Sequence, residues 1–309
     1  MALVVLIQVL LLSAMMLLGY CLGKTGYMSD EHSAFLTKLL LDVFLPCSVI
    51  ASAGSDLGDG GFSKTLAVIA AYFLLMVLFT AVGALAAKLL RLKGDRALVF
   101  RTCVGYPNNA FVGLPLCSAI FGERGALWAA LTIPGTMVYM TLTILIFQRE
   151  HNGGAKEKLK SLITPINVST AIMLVLIATG LKLPGPVQSL FGSLAACTTP
   201  MAMMIIGYRL SASPLLDALR TPSIYMMTLL RGILCPLLGA LLLSFTPWDR
   251  EMCLSLVAVT GCSVAVVLAI FAAQNNREPE YTSLCILHSS LLLPLTMPLM
   301  MLFAERILR

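Results

Sequence analysis

Residues 105–115 read Gly105-Tyr106-Pro107-Asn108-Asn109-Ala110-Phe111-Val112-Gly113-Leu114-Pro115, inside an apolar run that extends from 97 to 121. Proline lacks a backbone donor and clashes with the preceding turn, and asparagine amides compete for backbone partners, so this composition opposes an uninterrupted helix. The stretch predicts a membrane helix broken in its middle. Backbone left unpaired in hydrocarbon costs several kcal/mol per group, and a break at that depth is tolerated only where protein or a water-filled cavity meets it. Two readings follow. In one, half-helix ends form a binding site whose exposed N–H groups and positive dipole favour an anion. In the other, the break is a kink that fits neighbouring helices, with the asparagines bonded across them.

The rest of the chain makes membrane the right setting for this break. Of 309 residues, 59% are hydrophobic and 12% charged, against roughly 25% charged in an average soluble domain. That supply cannot cover a water-soluble surface. A bilayer core about 30 Å thick needs about 20 apolar residues rising about 1.5 Å each. Runs bounded by charge, glycine and proline give ten such segments, 1–22, 34–51, 66–87, 97–121, 126–147, 166–181, 187–208, 224–245, 253–273 and 283–303. The first run has neither a basic n-region nor a small-x-small cleavage site, so it reads as the first membrane helix. Most of the nine cysteines lie inside these runs, without CxxC or metal-ligand spacing, and read as small core residues.

The longest polar stretch, 148–164, falls at the midpoint and divides the chain into five-helix halves, 1–150 and 165–309, with 151–164 as a cytoplasmic loop. Loops after odd-numbered segments hold 15 of the 21 Lys and Arg, which places them in the cytoplasm and both termini outside the cell membrane. Topology thus accounts for the net charge of +6, and no nucleic-acid partner is implied. A duplicated five-helix unit must insert its second copy upside down. Ala119-Ile120-Phe121-Gly122 recurs as Ala269-Ile270-Phe271-Ala272, and Pro46 has a counterpart in Pro200.

Ionisable residues within the apolar segments are few, and each needs a reason to be there. Asp42, four residues before Pro46, reads either as a desolvated acid that couples transport to a proton or sodium ion, or as a pair with Lys38 at i−4. Arg231, before Pro236, reads as a snorkelling side chain or as an attractor for an anion. His288 reads as hydrogen-bonded structure or as a proton relay.

The run Pro107-Asn108-Asn109-Ala110-Phe111-Val112-Gly113-Leu114-Pro115 resembles the Pro-Asn-x-x-x-x-Gly-x-Pro signature of the auxin efflux carrier family of plant and bacterial permeases. Gly19-Tyr20-Cys21-Leu22-Gly23-Lys24, Phe44-Leu45-Pro46, Pro165-Ile166-Asn167 and Pro200-Met201-Ala202-Met203 with Gly207 agree with it. The resemblance implies an all-α fold of ten transmembrane helices in a 5+5 inverted repeat. Two broken helices would cross at the substrate site, as in bile-acid symporters and sodium/proton antiporters. It implies a secondary transporter of a small organic anion, working by alternating access in the lipid bilayer without a cofactor or metal, and the sequence leaves open whether the chain pairs as a homodimer. Asn108 and Asn109 would donate to the substrate, with Gly105 beside them. Pro107, Gly113 and Pro115 would hold the crossover open, and Gly261, Cys262 and Ser263 would form the opposing half-site. The family's second crossover proline is missing here, where Ser263 stands near its place. A membrane-embedded enzyme or receptor is the contrasting class. No HExxH, GxSxG or paired acids support an enzyme.

The basic bias predicts that a cysteine placed at Ala155 is labelled from the cytoplasmic side by an impermeant maleimide. Labelling only from outside overturns the orientation.

Overall fold

The computed structural model describes residues 2–53, 61–147, 164–212 and 221–308, and the described residues are mostly helical, with no strand among them. The helices are α1 (Ala2–Lys24), α2 (Asp30–Leu39), α3 (Leu45–Ser52), α4 (Gly61–Leu89), α5 (Gly94–Gly105), α6 (Leu114–Phe147), α7 (Pro165–Thr179), α8 (Gly185–Ala196), α9 (Thr198–Ala212), α10 (Pro222–Leu229), α11 (Cys235–Leu243), α12 (Arg250–Thr260), α13 (Val267–Gln274) and α14 (Pro279–Ile307). Seven helical stretches are long and apolar enough to cross a bilayer, from Ile7–Lys24 through Pro279–Ile307. Leu17, Leu74, Leu85 and Leu295 are exposed on them, as expected of side chains whose solvent is lipid. The chain is a multi-pass membrane protein. Most of the expected loop 151–164 lies outside the described residues.

Three prolines open the helices they enter in one common way. Leu40–Phe44, Asn109–Gly113 and Leu230–Leu234 are π-turns, each followed by a residue and then a proline, Pro46, Pro115 or Pro236. The residue before each proline donates its N–H five residues back, Leu45 to Leu40, Leu114 to Asn109 and Cys235 to Leu230. A proline ring clashes with the carbonyl four residues earlier, and the widened turn makes room for it while keeping the neighbouring donors paired.

Within α6 the chain reverses at Gly122, whose φ of +66° and ψ of −150° suit glycine alone. A Cβ on Gly125 would lie 2.4 Å from the Cys117 carbonyl oxygen, so the two arms of the bend touch through backbone. Elsewhere, α1 and α9 pack backbone against backbone. A Cβ on Gly19 would meet the Met204 carbonyl oxygen at 2.1 Å, and one on Gly207 would meet that of Met16 at 1.8 Å. Gly19 and Gly23 stand four apart on one face of α1, the small-xxx-small arrangement that lets membrane helices approach closely.

Gly207→Ala is therefore expected to lower the melting temperature in detergent by the equivalent of about 1–3 kcal/mol, the usual cost of overpacking. Gly185→Ala, where nothing lies within 4 Å, should leave it unchanged. Equal melting of the two variants would refute the close approach.

Candidate functional site

Helix α5 ends at Gly105, and α12, on the far side of the sequence, ends at Thr260. Between α5 and the π-turn at Asn109, and between α12 and α13, the chain is unwound, and these two unwound segments cross. Pro107 and Val264 form an antiparallel bridge. The Asn108 N–H donates to the Ser263 carbonyl at 2.9 Å, and the Ala265 N–H donates to that of Tyr106 at 3.1 Å. Each broken helix thus satisfies backbone that the other leaves open, which is what a break in hydrocarbon requires. Ser289 of α14 completes the pairing by accepting from the Val264 N–H at 3.0 Å.

The second break forms without a proline. Thr260 Oγ1 donates to the Val257 carbonyl at 2.7 Å and Cys262 Sγ to that of Ala258 at 3.3 Å, local bonds of the kind that bend helices. Gly261 caps the end, and β-branched Val264 favours the extended backbone that follows.

Sequence reasoning singled out Arg231 but missed that it joins these ends. Arg231, in the π-turn before Pro236, is 1% exposed, and all three of its guanidinium nitrogens donate to backbone carbonyls. Nε bonds Cys262 at 3.0 Å, Nη2 bonds Thr260 at 3.2 Å, and Nη1 bonds Val104 and, at 3.5 Å, Cys103. Those carbonyls are orphans at the C-terminal ends of α5 and α12, where the helix dipoles are negative. Arg231 therefore does not snorkel. Its planar fork spans two helix ends, a geometry an ammonium cannot copy. Burying an ion costs several kcal/mol, and charge-assisted bonds contribute roughly 1.5–3 kcal/mol each, so four of them are of the size needed to offset it. Among the described residues Arg231 has no carboxylate partner, and no other Lys, Arg, Asp or Glu is buried. A position so close before a proline in an apolar run was the available signal, since the π-turn depends on it.

The two asparagines divide their duties. Asn109 Nδ2 donates to Thr132 Oγ1 at 3.1 Å and Thr136 Oγ1 at 2.6 Å, which ties the π-turn to the distal arm of α6. Asn108 Oδ1 accepts from the Phe111 N–H at 3.3 Å, whereas its buried Nδ2 has no protein partner. Ser263 Oγ, on the opposing segment, is likewise buried and unpartnered. Gly105 is required by close approach, because a Cβ there would lie 1.9 Å from Thr80 Oγ1, which is bonded to Tyr139 Oη. Gly113 faces Val259 across the crossing, where a Cβ would come within 3.1 Å, and Gly261 faces Met300. Cys262 serves through its carbonyl. Pro107 and Pro115 sit in the bridge and behind the π-turn.

Asp42 stands apart from this group. Its side chain is exposed on the outer face of the π-turn Leu40–Phe44, and no ion pair joins it to Lys38. Pro46 widens the turn without rotating Asp42 into the interior. His288 is structural, with Nδ1 bonded to Thr228 Oγ1 at 2.8 Å and its ring against Tyr225. Among the described residues no group of three His, Cys, Asp or Glu side chains forms a metal site.

Ion pairs fasten the outer ends of the broken helices to one another. Arg277, beyond α13, holds Asp95 at the start of α5 at 2.7 Å, and Arg124, beyond the bend at Gly122, reaches Glu251 at the start of α12 at 3.9 Å. Lys64 bonds Asp249 at 2.7 Å, and its hydrogen bond and charge hold that carboxyl below the usual range. The stabilisation this pair gives is full above the unfolded carboxylate pKa and is lost as pH falls through the lowered value.

Two cavities flank the crossing at opposite ends of the stretch Asp30–Ser52. One, of about 300 Å³, is lined by Asp30, Ser33, Arg209, Val266 and Ser290. The other, of about 430 Å³, is lined by Ser48, Ser52, Leu114, Ser118, Gln188 and Thr198.

Comparison with known proteins places this multi-pass helical protein among membrane transporters. Residues 4–301 match the family described as "Membrane transport protein", and the chain belongs to that family, the auxin efflux carriers. It is 22% identical over 296 residues to an "Uncharacterized transporter" of Methanothermobacter thermautotrophicus, covering 94% of this chain and 95% of that one. It is 24% identical to transporter MJ1031 of Methanocaldococcus jannaschii, over 67% of this chain and 69% of the other, and 24% identical to transporter YfdV of Escherichia coli, over 64% and 66%.

Asn109→Ala is expected to destabilise the protein by about 1–3 kcal/mol in thermal melting, because it strips two buried hydroxyls of their shared donor. A melting temperature equal to that of wild type would remove Asn109 from the framework.

Proposed function

We propose that this chain is a secondary transporter that moves a small organic anion by alternating access, with Asn108 and Ser263 as the substrate's direct donors. The observation that carries the reading is the positive centre of the molecule. Arg231 brings to the crossing a charge with no carboxylate partner among the described residues, beside two buried donors, Asn108 Nδ2 and Ser263 Oγ, that have no protein partner. Buried donors are almost always paired, so an acceptor from outside the chain is the natural complement, and a carboxylate supplies both acceptor and charge.

Ten spans arranged as inverted halves, 1–150 and 165–309, fit the reciprocal wiring of the broken helices. Asp95 and Arg124 flank the first break as Asp249 and Arg277 flank the second, and each pair reaches across to the other helix or its neighbourhood. Cavities at opposite ends of one span fit a site approached from each side in turn. With the odd loops in the cytoplasm, the cavity beside Asp30 and Arg209 is the cytoplasmic one and both termini are outside.

The test is a thermal-shift series of mono- and dicarboxylates on purified protein, followed by uptake of any stabilising acid into proteoliposomes. Asn108→Asp keeps the oxygen that accepts from Phe111, removes the free donor and adds a repelling charge, so it should abolish binding while the fold remains. Ser263→Ala should weaken binding about tenfold, the size of one net hydrogen bond. Binding without uptake would make the protein a receptor. Stabilisation of Asn108→Asp equal to that of wild type would move the site elsewhere.

A further inference from the structure

The donor set around Arg231 is of a particular kind. Cys103, Val104, Thr260 and Cys262 contribute four backbone carbonyls from two helix ends that converge on one point. Converging carbonyls at unwound or C-terminal helix ends are the arrangement by which broken membrane helices coordinate alkali cations. Here that place is filled by a side chain, and a guanidinium stays charged at any pH a protein survives. At 1% exposure, held at every nitrogen, it does not exchange with solvent.

We propose that Arg231 is a built-in counter-cation. It permanently occupies the carbonyl cage in which the two broken helices end, so that the crossing is assembled without sodium and anion binding does not depend on an alkali cation. The charge an exchangeable ion would bring during a transport cycle is covalently present in every state. The carbonyls need a cation because two negative helix ends face each other across the crossing, and the sequence supplies it from a third helix, through the π-turn that Pro236 forces. The consequence for anion binding rests on the transport reading above, whereas the occupied cage does not.

Removing the side chain should convert the cage into an open cation site. In purified Arg231→Ala, choline buffer should give a melting temperature well below wild type, and low-millimolar guanidinium or added sodium should raise it by several degrees at matched ionic strength. Wild type should melt at the same temperature in sodium and in choline. Arg231→Lys should fall between the two, because three donors on a point charge reach fewer of the four carbonyls. If Arg231→Ala cannot be purified, the wild-type comparison and Arg231→Lys decide. A sodium-dependent rise in wild-type melting overturns the proposal, as does an Ala variant that responds to neither guanidinium nor sodium. If wild type binds a carboxylate, its Kd should be equal in sodium and choline, and a sodium-dependent Kd also overturns the proposal. If no carboxylate binds at all, the anion-transport reading fails while the melting series still judges the cage.

Discussion

Backbone that is not hydrogen-bonded cannot remain at membrane depth, and this one constraint orders the centre of the protein. Two helices stop in mid-membrane, each leaving carbonyls at one end and N–H groups at the other. Neither break is tolerable alone. Their unwound residues pair as a short antiparallel bridge from Tyr106 to Asn108 against Ser263 to Ala265, and Ser289 takes the donor that the bridge leaves over. The carbonyls that remain converge on Arg231. An interior with these demands can be assembled in few ways, which is why glycines at 105, 113 and 261 and hydroxyls at 132, 136 and 289 all serve the same few ångströms.

The first break was legible in sequence because it is written in residues with strong backbone preferences. Pro107, Pro115 and the asparagine pair contradict a continuous helix on local grounds alone. The second was only half legible. Gly261 and Ser263 do not by themselves stop a helix in an apolar run, and what opens it there is tertiary, the pull of Arg231 on the Thr260 and Cys262 carbonyls and the pairing with the first break. Local propensity cannot report interactions between residues about thirty positions apart, as Arg231 and Cys262 are, or between the two halves of the chain, as Asn108 and Ser263 are.

The same limit explains why the readings of the charged residues stayed open. Asp42 and Arg231 occupy similar local contexts, each in a π-turn before a proline, but Asp42 stands four residues before its proline and Arg231 five, an offset that turns the two side chains to different faces. In the fold Asp42 faces out and Arg231 faces in. The two asparagines show the point on a smaller scale. Adjacent side chains on a helix start diverge by about 100°, so Asn109 turns to Thr132 and Thr136 while Asn108 keeps a free donor at the crossing.

Where a carrier of this form can move follows from which contacts are made of backbone and charge and which are not. The broken helices are fastened at their centres by the bridge and Arg231, and at their outer ends by Asp95–Arg277 and Glu251–Arg124. They form one body that no small rearrangement divides. A second group is tied separately, α1 to α9 through Gly19 and Gly207, and α3 to α8 and α9 through Gln188 Nε2 on the Ala51 carbonyl at 2.8 Å and Ser48 Oγ on Thr198 Oγ1 at 3.0 Å. Both cavities lie along the seam between these groups, with α2, α3, α8 and α9 on one wall and α6, α13 and α14 on the other. On the proposed reading, alternating access is a displacement along that seam. The crossing and its fixed cation then travel as a unit, and the anion site is carried intact from one cavity toward the other rather than taken apart and rebuilt.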